Sequence, residues 1–108
     1  MNVLFVCSMN KWRSRTAETL YGKHPLLNVR SAGTSNNARH KITLADINWA
    51  ESIIVMEYKH LERIRAEFRQ AVNYKDIHVI EVEDNFEYMD ARLVEELKGQ
   101  IDPILLEE

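Results

Sequence analysis

Cys7, Arg13 and Ser14 bound the loop Cys7-Ser8-Met9-Asn10-Lys11-Trp12-Arg13-Ser14, which holds what thiol chemistry on a phosphate needs. The thiolate form of a cysteine is a strong nucleophile. The five intervening residues can turn their backbone N–H groups around one anion, and a helix N-terminus aimed at them adds positive potential. Arg13 contributes a planar fork that matches two phosphate oxygens at once. Ser14 is placed to donate a hydrogen bond to the sulfur, first keeping it anionic and later letting it leave. Cys7 is thus a candidate nucleophile, and Ser8, Met9, Asn10, Lys11, Trp12, Arg13 and Ser14 are candidate phosphate-binding residues. No metal or other cofactor is required. The plain alternative is a small core cysteine near a surface arginine. Where the loop sits in the fold decides between the two.

Val3-Leu4-Phe5-Val6 is a continuous apolar run, the pattern of a strand buried on both faces of a parallel sheet. Ala17, Leu20 and Tyr21 then recur at helical spacing and Gly22 offers a stop. The candidate loop therefore joins the carboxyl end of a strand to the start of a helix, where open α/β sheets collect their ligands. Leu26–Arg30 reads as a second strand. Thr43 with Asp46 forms a capping-box pattern opening a helix to about Ala50. Ser52–Met56 is a third strand, and a long helix follows over 58–71 with Leu61, Ile64 and Phe68 on one stripe. Residues 76–82 alternate as a fourth strand nearer an edge. Asp90 is placed to cap a last helix carrying Leu93, Val94, Leu97 and Ile101, with Pro103 near its end. The fold class expected is α/β, a three-layer doubly wound sandwich around a four-stranded parallel sheet.

The chain has 108 residues, enough for one domain spanning 1–108 with a real core. Its net charge of -3 gives no overall basic character, so no nucleic-acid partner is expected. The one cysteine cannot form an internal disulfide. No stretch reaches the roughly 18 apolar residues of a membrane helix, and the N-terminal run is too short for a signal-peptide core. A cytoplasmic location, without membrane association, is the expectation.

The residues quoted so far resemble the low-molecular-weight protein tyrosine phosphatase family, in particular a compact bacterial branch. The likeness rests on Val3-Leu4-Phe5-Val6-Cys7, Asn10, Arg13-Ser14 and Ala17-Glu18. Ser31-Ala32-Gly33-Thr34 and Trp49-Ala50-Glu51-Ser52-Ile53-Ile54-Val55-Met56 extend it over nearly the whole chain, which is shorter than typical members. The resemblance implies a phosphotyrosine protein phosphatase I-like fold and a cysteinyl-phosphate mechanism. It also implies a separate general acid on a late loop, where Asp84-Asn85-Phe86 stands. Asp84 is the expected acid, with Glu83 and Asp90 as nearby carboxylates. The implied substrates are phosphotyrosine protein or a small aryl phosphate. Four departures stand out: Met9 where the family usually has Gly, Trp12 where many relatives carry a second Cys, and Arg15 and Asn85 where Pro is common.

Trp12, Phe86 and Tyr88 are candidates to wall a pocket against an aryl group. Trp49 reads as core, and His24, His40, His60 and His78 lack metal-ligand spacing. The charged run 62–69 reads as the solvated face of a helix. Leu105 and Leu106 could cover an apolar face or meet a second copy. Beside the phosphatase stand three other functions. One is a degenerate phosphatase that binds phosphate or phosphoprotein without turnover. The others are arsenate reduction, which would need an external thiol, and a phosphocarrier, which the Arg13 clamp disfavours.

Overall fold

The computed structural model describes residues 1–106, so the last two residues of the expected 1–108 domain lie outside the described residues. Strands β1 (Asn2–Cys7), β2 (Asn28–Gly33), β3 (Ser52–Val55) and β4 (Asp76–Val79) form one sheet, ordered β2-β1-β3-β4 with every pairing parallel. Helices α1 (Arg13–Tyr21), α2 (Leu44–Trp49), α3 (Tyr58–Glu67), α4 (Arg69–Val72) and α5 (Ala91–Leu105) cover its two faces. This is the doubly wound α/β sandwich expected.

The period-two alternation of a strand divides the core. Val3, Phe5 and Cys7 of β1 pack with Ala17 and Tyr21 of α1 and with Leu93, Leu97 and Ile101 of α5. Leu4 and Val6 face the other way, onto Ile47 of α2, Leu61 and Ile64 of α3, and Val72 of α4. Both sets are buried, so the continuous apolar run of β1 is what a strand with two covered faces requires. The Tyr21 hydroxyl bonds the Asp102 carboxylate and so links α1 to α5.

This topology makes the site. The chain leaves β1 through α1 on one face and leaves β3 through α3 on the other. The loops after these neighbouring strands therefore diverge and open a crevice above their carboxyl ends.

Besides shifts of a single residue, boundaries moved in three places. The second strand starts at Asn28 rather than Leu26 and runs to Gly33, because its pairing to β1 extends from Asn2↔Asn28 to Cys7↔Gly33. The long helix expected over 58–71 breaks at Phe68 (φ -128°, ψ 41°) into α3 and α4. The fourth strand ends at Val79, although Ile80 and Val82 still donate backbone hydrogen bonds to Val55 and Met56. The helix caps follow expectation: Thr43 and Asp46 complete a capping box, and the Asp90 carboxylate accepts from the Arg92 N–H at 2.8 Å. Pro103 lies in the last turn of α5, and the helix continues to Leu105. Leu105 packs on the core while Leu106 is exposed. Trp49 is only half-buried, with the Arg30 guanidinium 4.2 Å from its ring centroid. Among the described residues, no helix is long and apolar enough to cross a membrane.

Candidate active site

β1 ends on Cys7 and α1 begins on Arg13, so the loop between them lies at the carboxyl edge of a central strand. Its curvature is imposed from outside. The carbonyls of Cys7, Ser8 and Met9 accept from the N–H groups of Thr34, Ser35 and Arg39 at 2.9, 3.0 and 2.9 Å. The Asn10 carbonyl accepts from Arg39 Nε at 3.1 Å. In a trans peptide the C=O and the following N–H point opposite ways. Tying four carbonyls outward therefore turns the N–H groups of Ser8, Met9, Asn10 and Lys11 to the inner side of the loop.

Gly33 permits this close approach. A Cβ there would lie 2.5 Å from the Ser8 carbonyl oxygen and 2.5 Å from the Ala38 Cβ. Asn10 takes the left-handed turn (φ 57°), which Asn tolerates better than most residues. Among the described residues only Met89 shares a positive φ without being Gly. Met9 thus stands outside the left-handed region, and a side chain at that position carries no backbone strain.

A chain of hydrogen bonds fixes the polarity of the group facing the sulfur. Ser31 Oγ donates to Glu18 Oε1 at 2.7 Å, which spends its single proton. It must then accept from Asn10 Nδ2, 2.8 Å away. The second Nδ2 hydrogen goes to Ser14 Oγ, also at 2.8 Å. Ser14 keeps its own proton for Cys7 Sγ at 2.9 Å, with the Ala32 carbonyl more distant at 3.4 Å. The Asn10 N–H adds a second donor, 3.3 Å from the sulfur. Two donors thus converge on Cys7 Sγ. The expected Ser14–sulfur contact is present, and Asn10, Ser31 and Glu18 stand behind it.

Arg13 is buried to 1% exposure, unusual for a guanidinium unless paired. Its Nη1 donates to Glu57 Oε2 at 2.5 Å and to the Val82 carbonyl at 2.8 Å. That fixes one end of the fork through Nη1. Asp84 Oδ1 lies 3.6 Å from Nε. Glu57 was not singled out from the sequence, yet the signal existed. It follows the buried run of β3 closely, the position at a strand's carboxyl end that drew attention to Cys7 and Asp84. Burial works against charge on Glu57, but the hydrogen bond and charge of Arg13, with Lys59 and His60 beside them, hold its carboxyl below the usual range.

His60, read from the sequence as a scattered histidine, is buried beneath the loop. Its Nδ1 accepts from the Glu57 N–H at 3.1 Å, so Nε2 carries the hydrogen that reaches Ser8 Oγ at 2.9 Å. Burial and the Arg13 and Lys59 charges push its pKa down to about 4, against the opposing pull of Glu57. A neutral imidazole thus ties the start of α3 to the loop.

A cavity of about 120 Å³ lies over the sulfur, lined by Cys7, Met9, Lys11, Trp12, Arg13 and Asp84. Asp84 is half exposed. Of its neighbours, Glu83 turns away to accept from Asn85 Nδ2 at 2.6 Å, and Asp90 is engaged as the α5 cap. Trp12 is 41% exposed at the cavity mouth. Phe86 and Tyr88 stand apart from these lining residues. Phe86 packs on the core with Arg92 stacked 5.2 Å from its ring centroid. Tyr88 lies under Arg15 (4.6 Å) and pairs its hydroxyl with Thr19 Oγ1 at 2.7 Å. Together with Met89 N–H donating to Thr16 Oγ1 at 3.0 Å, these contacts anchor the Asp84 loop on α1. Of the three aromatic residues expected as pocket wall, Trp12 lines the cavity, whereas Phe86 packs on the core and Tyr88 holds the loop on α1.

This chain has the fold of the low-molecular-weight protein tyrosine phosphatases. Its structure superposes on SP-PTP, a low-molecular-weight protein tyrosine phosphatase from Streptococcus pyogenes, with a TM-score of 0.76 and 19% identity over 99% of this chain and 94% of that one. A YwlE mutant from Bacillus subtilis gives 0.72 and 19% over 97% and 93%. The Drosophila arginine phosphatase DARP gives 0.65 and 21% over 94% and 90%. No family model matches the sequence, and no curated protein does.

Proposed function

We propose that this protein is a metal-independent phosphomonoesterase acting through a cysteinyl-phosphate, with phosphotyrosine in protein as its substrate. The observation that carries the reading is the Cys7 sulfur, held by Ser14 and Asn10, facing one cavity with the Arg13 fork and the Asp84 carboxylate. In the first step the thiolate attacks phosphorus in line. The P–O bond to the leaving group breaks, and that oxygen takes a proton from Asp84. The inward N–H groups and Arg13 bind the three equatorial oxygens as charge develops on them. In the second step water attacks the phosphorus, Asp84 takes its proton, and Cys7 departs as a thiolate received by the Ser14 hydroxyl.

Trp12 at the mouth of a narrow cavity suits an aryl group. Arginine phosphatases are among the structural neighbours. Here, however, Lys11 lines the cavity, and its cation would stand beside the guanidinium of a phosphorylated arginine. That favours the aryl monoester. A second reading, phosphate binding without turnover, draws on the exposure of Asp84 and its distance from Arg13.

The test is hydrolysis of p-nitrophenyl phosphate without added metal. Turnover, vanadate inhibition and its loss in Cys7→Ser are expected, with phosphotyrosine hydrolysed faster than phosphoarginine. Pure protein with a titratable thiol and no turnover between pH 5 and 8 would sink the enzyme reading. An Asp84→Ala rate equal to wild type would remove the catalytic acid.

A further inference from the structure

Three depressions of the surface are linked pairwise by shared lining residues. The cavity over Cys7 shares Met9 with a groove of about 600 Å³ between the turn at Thr34 and Ser35 and helix α3. That groove shares Ala66 with a further depression of about 580 Å³, bounded by α3, α4 and β4. Ala66, an exposed residue of α3, is the lining residue common to both.

The charge along this track is one-sided. The groove is lined by Lys59 and Arg63 against the single carboxylate Glu62, and the farther depression by Arg65, Arg69 and Lys75 with no carboxylate. In a chain of net charge -3, five cations against one lining carboxylate mark a distinct surface, with Lys59 also 3.7 Å from Glu57 Oε2. Glu67, which follows Ala66, is taken up by Lys41 at 2.8 Å. Arg63 and Lys75 are steadied by backbone carbonyls, Thr34 for the first and Ala50 for the second. Arg65 and Arg69 have no ion-pair partner among the described residues.

We propose that this track binds an acidic segment of a protein substrate, which runs from the phosphorylated residue in the Cys7 cavity past Met9 and over Ala66. Only the occupant of the cavity rests on the phosphatase reading. Helix α3 has ten residues and is ~15 Å long at ~1.5 Å per residue. An extended chain covers that distance in about five residues at ~3.3 Å each. The acidic stretch therefore spans roughly five residues, on one side of the phosphorylated one. A protein fits better than a nucleic acid on two grounds. The groove and the farther depression offer no Phe, Tyr or Trp on which a base could stack. Beyond the cavity, Glu57, Glu81, Glu83 and Glu96 face a common hollow and would repel a polyanion continuing past the site.

The test uses full-length Cys7→Ser protein and fluorescent phosphotyrosyl peptides that differ only in an acidic or neutral flank. At low ionic strength the acidic peptide is expected to bind about tenfold more tightly, with the advantage fading as salt screens it. Adding Arg65→Glu and Arg69→Glu, both on exposed positions, should erase the difference while leaving the thermal melt in place. Equal affinities, or a preference that survives the double variant, overturn the proposal. So does a single-stranded oligonucleotide that displaces the acidic peptide better than an unphosphorylated acidic peptide does. Hydrolysis of p-nitrophenyl phosphate by the wild-type protein separates the two claims. Turnover without flank preference defeats the track alone, and flank preference without turnover defeats the catalytic reading alone.

Discussion

Glu57 Oε2 lies 2.5 Å from Arg13 Nη1, joining the residue just past the third strand to the first residue of the first helix. The contact crosses the crevice that the sheet topology opens, and it aims a buried guanidinium whose other edge faces the cavity. Removing the carboxylate leaves a buried cation one partner short, with only the Val82 carbonyl on that nitrogen. Glu57→Ala should lower kcat/KM for an aryl phosphate about 10- to 100-fold, since the fork loses its aim. Steady-state kinetics with a vanadate titration would show it. Unchanged kinetics would mean that Val82 alone holds Arg13.

The relay behind the sulfur predicts a reactivity change at a distance. Ser31→Ala removes no group that touches Cys7, yet it frees Asn10 to reorient and so loosens the Ser14 hydroxyl. The rate of Cys7 alkylation by iodoacetamide near pH 6 should fall about two- to tenfold, and Ser14→Ala should lower it further. Equal alkylation rates in all three proteins would show that the loop N–H groups suffice.

Gly33→Ala tests the close approach of loop and strand. The added methyl would sit 2.5 Å from a backbone oxygen, which cannot swing aside as a side chain would. A loss of about 1–3 kcal/mol in urea unfolding is expected, together with weaker phosphate binding as the nest is pushed open. Wild-type stability and phosphate affinity in this variant would contradict the account of how the loop is shaped.

Acid should destabilise the protein through His60. In the unfolded chain this residue takes up a proton below its ordinary value of 6.5, and in the folded chain only near pH 4. Between those values the unfolded state holds more protons, so stability falls as pH drops from 6.5 towards 4 and is unaffected by this group above 6.5. The loss amounts to roughly 3 kcal/mol by the lower limit of that window. Glu57, whose carboxyl is held low, adds a loss of the same sign below about 4.5. Urea midpoints at pH 7 and pH 4.5 should converge in His60→Gln relative to wild type. An unchanged difference would place the acid sensitivity elsewhere.

Much of the architecture was legible because hydrophobic periodicity reports burial directly. The unbroken run before Cys7 and the stripe of α5 each had one satisfactory structural solution. Cys7, Arg13 and Ser14 were legible for the same reason, since their spacing joins a strand end to a helix start. Glu57 and His60 were harder to read, because their roles depend on which loops the sheet order β2-β1-β3-β4 makes neighbours, and no local pattern states that order. Tyr88 shows the opposite difficulty. An aromatic residue near a suspected pocket invites a stacking role, yet its hydroxyl reaches Thr19, sixty-nine residues away in sequence. The break at Phe68 lay within a helical stripe whose apolar spacing continues through it.

The four loop carbonyls tied to the 34–39 segment have a thermodynamic consequence. A loop already curved with its N–H groups inward has little conformational freedom left to lose when an anion enters, so association should carry a small ordering penalty. On the proposed mechanism the same economy applies to the product, since inorganic phosphate would meet a receptor that needs no reshaping. Phosphate should therefore remain a competitive inhibitor that retains the occupied site's geometry, and its release becomes a natural candidate for the slow step of the cycle.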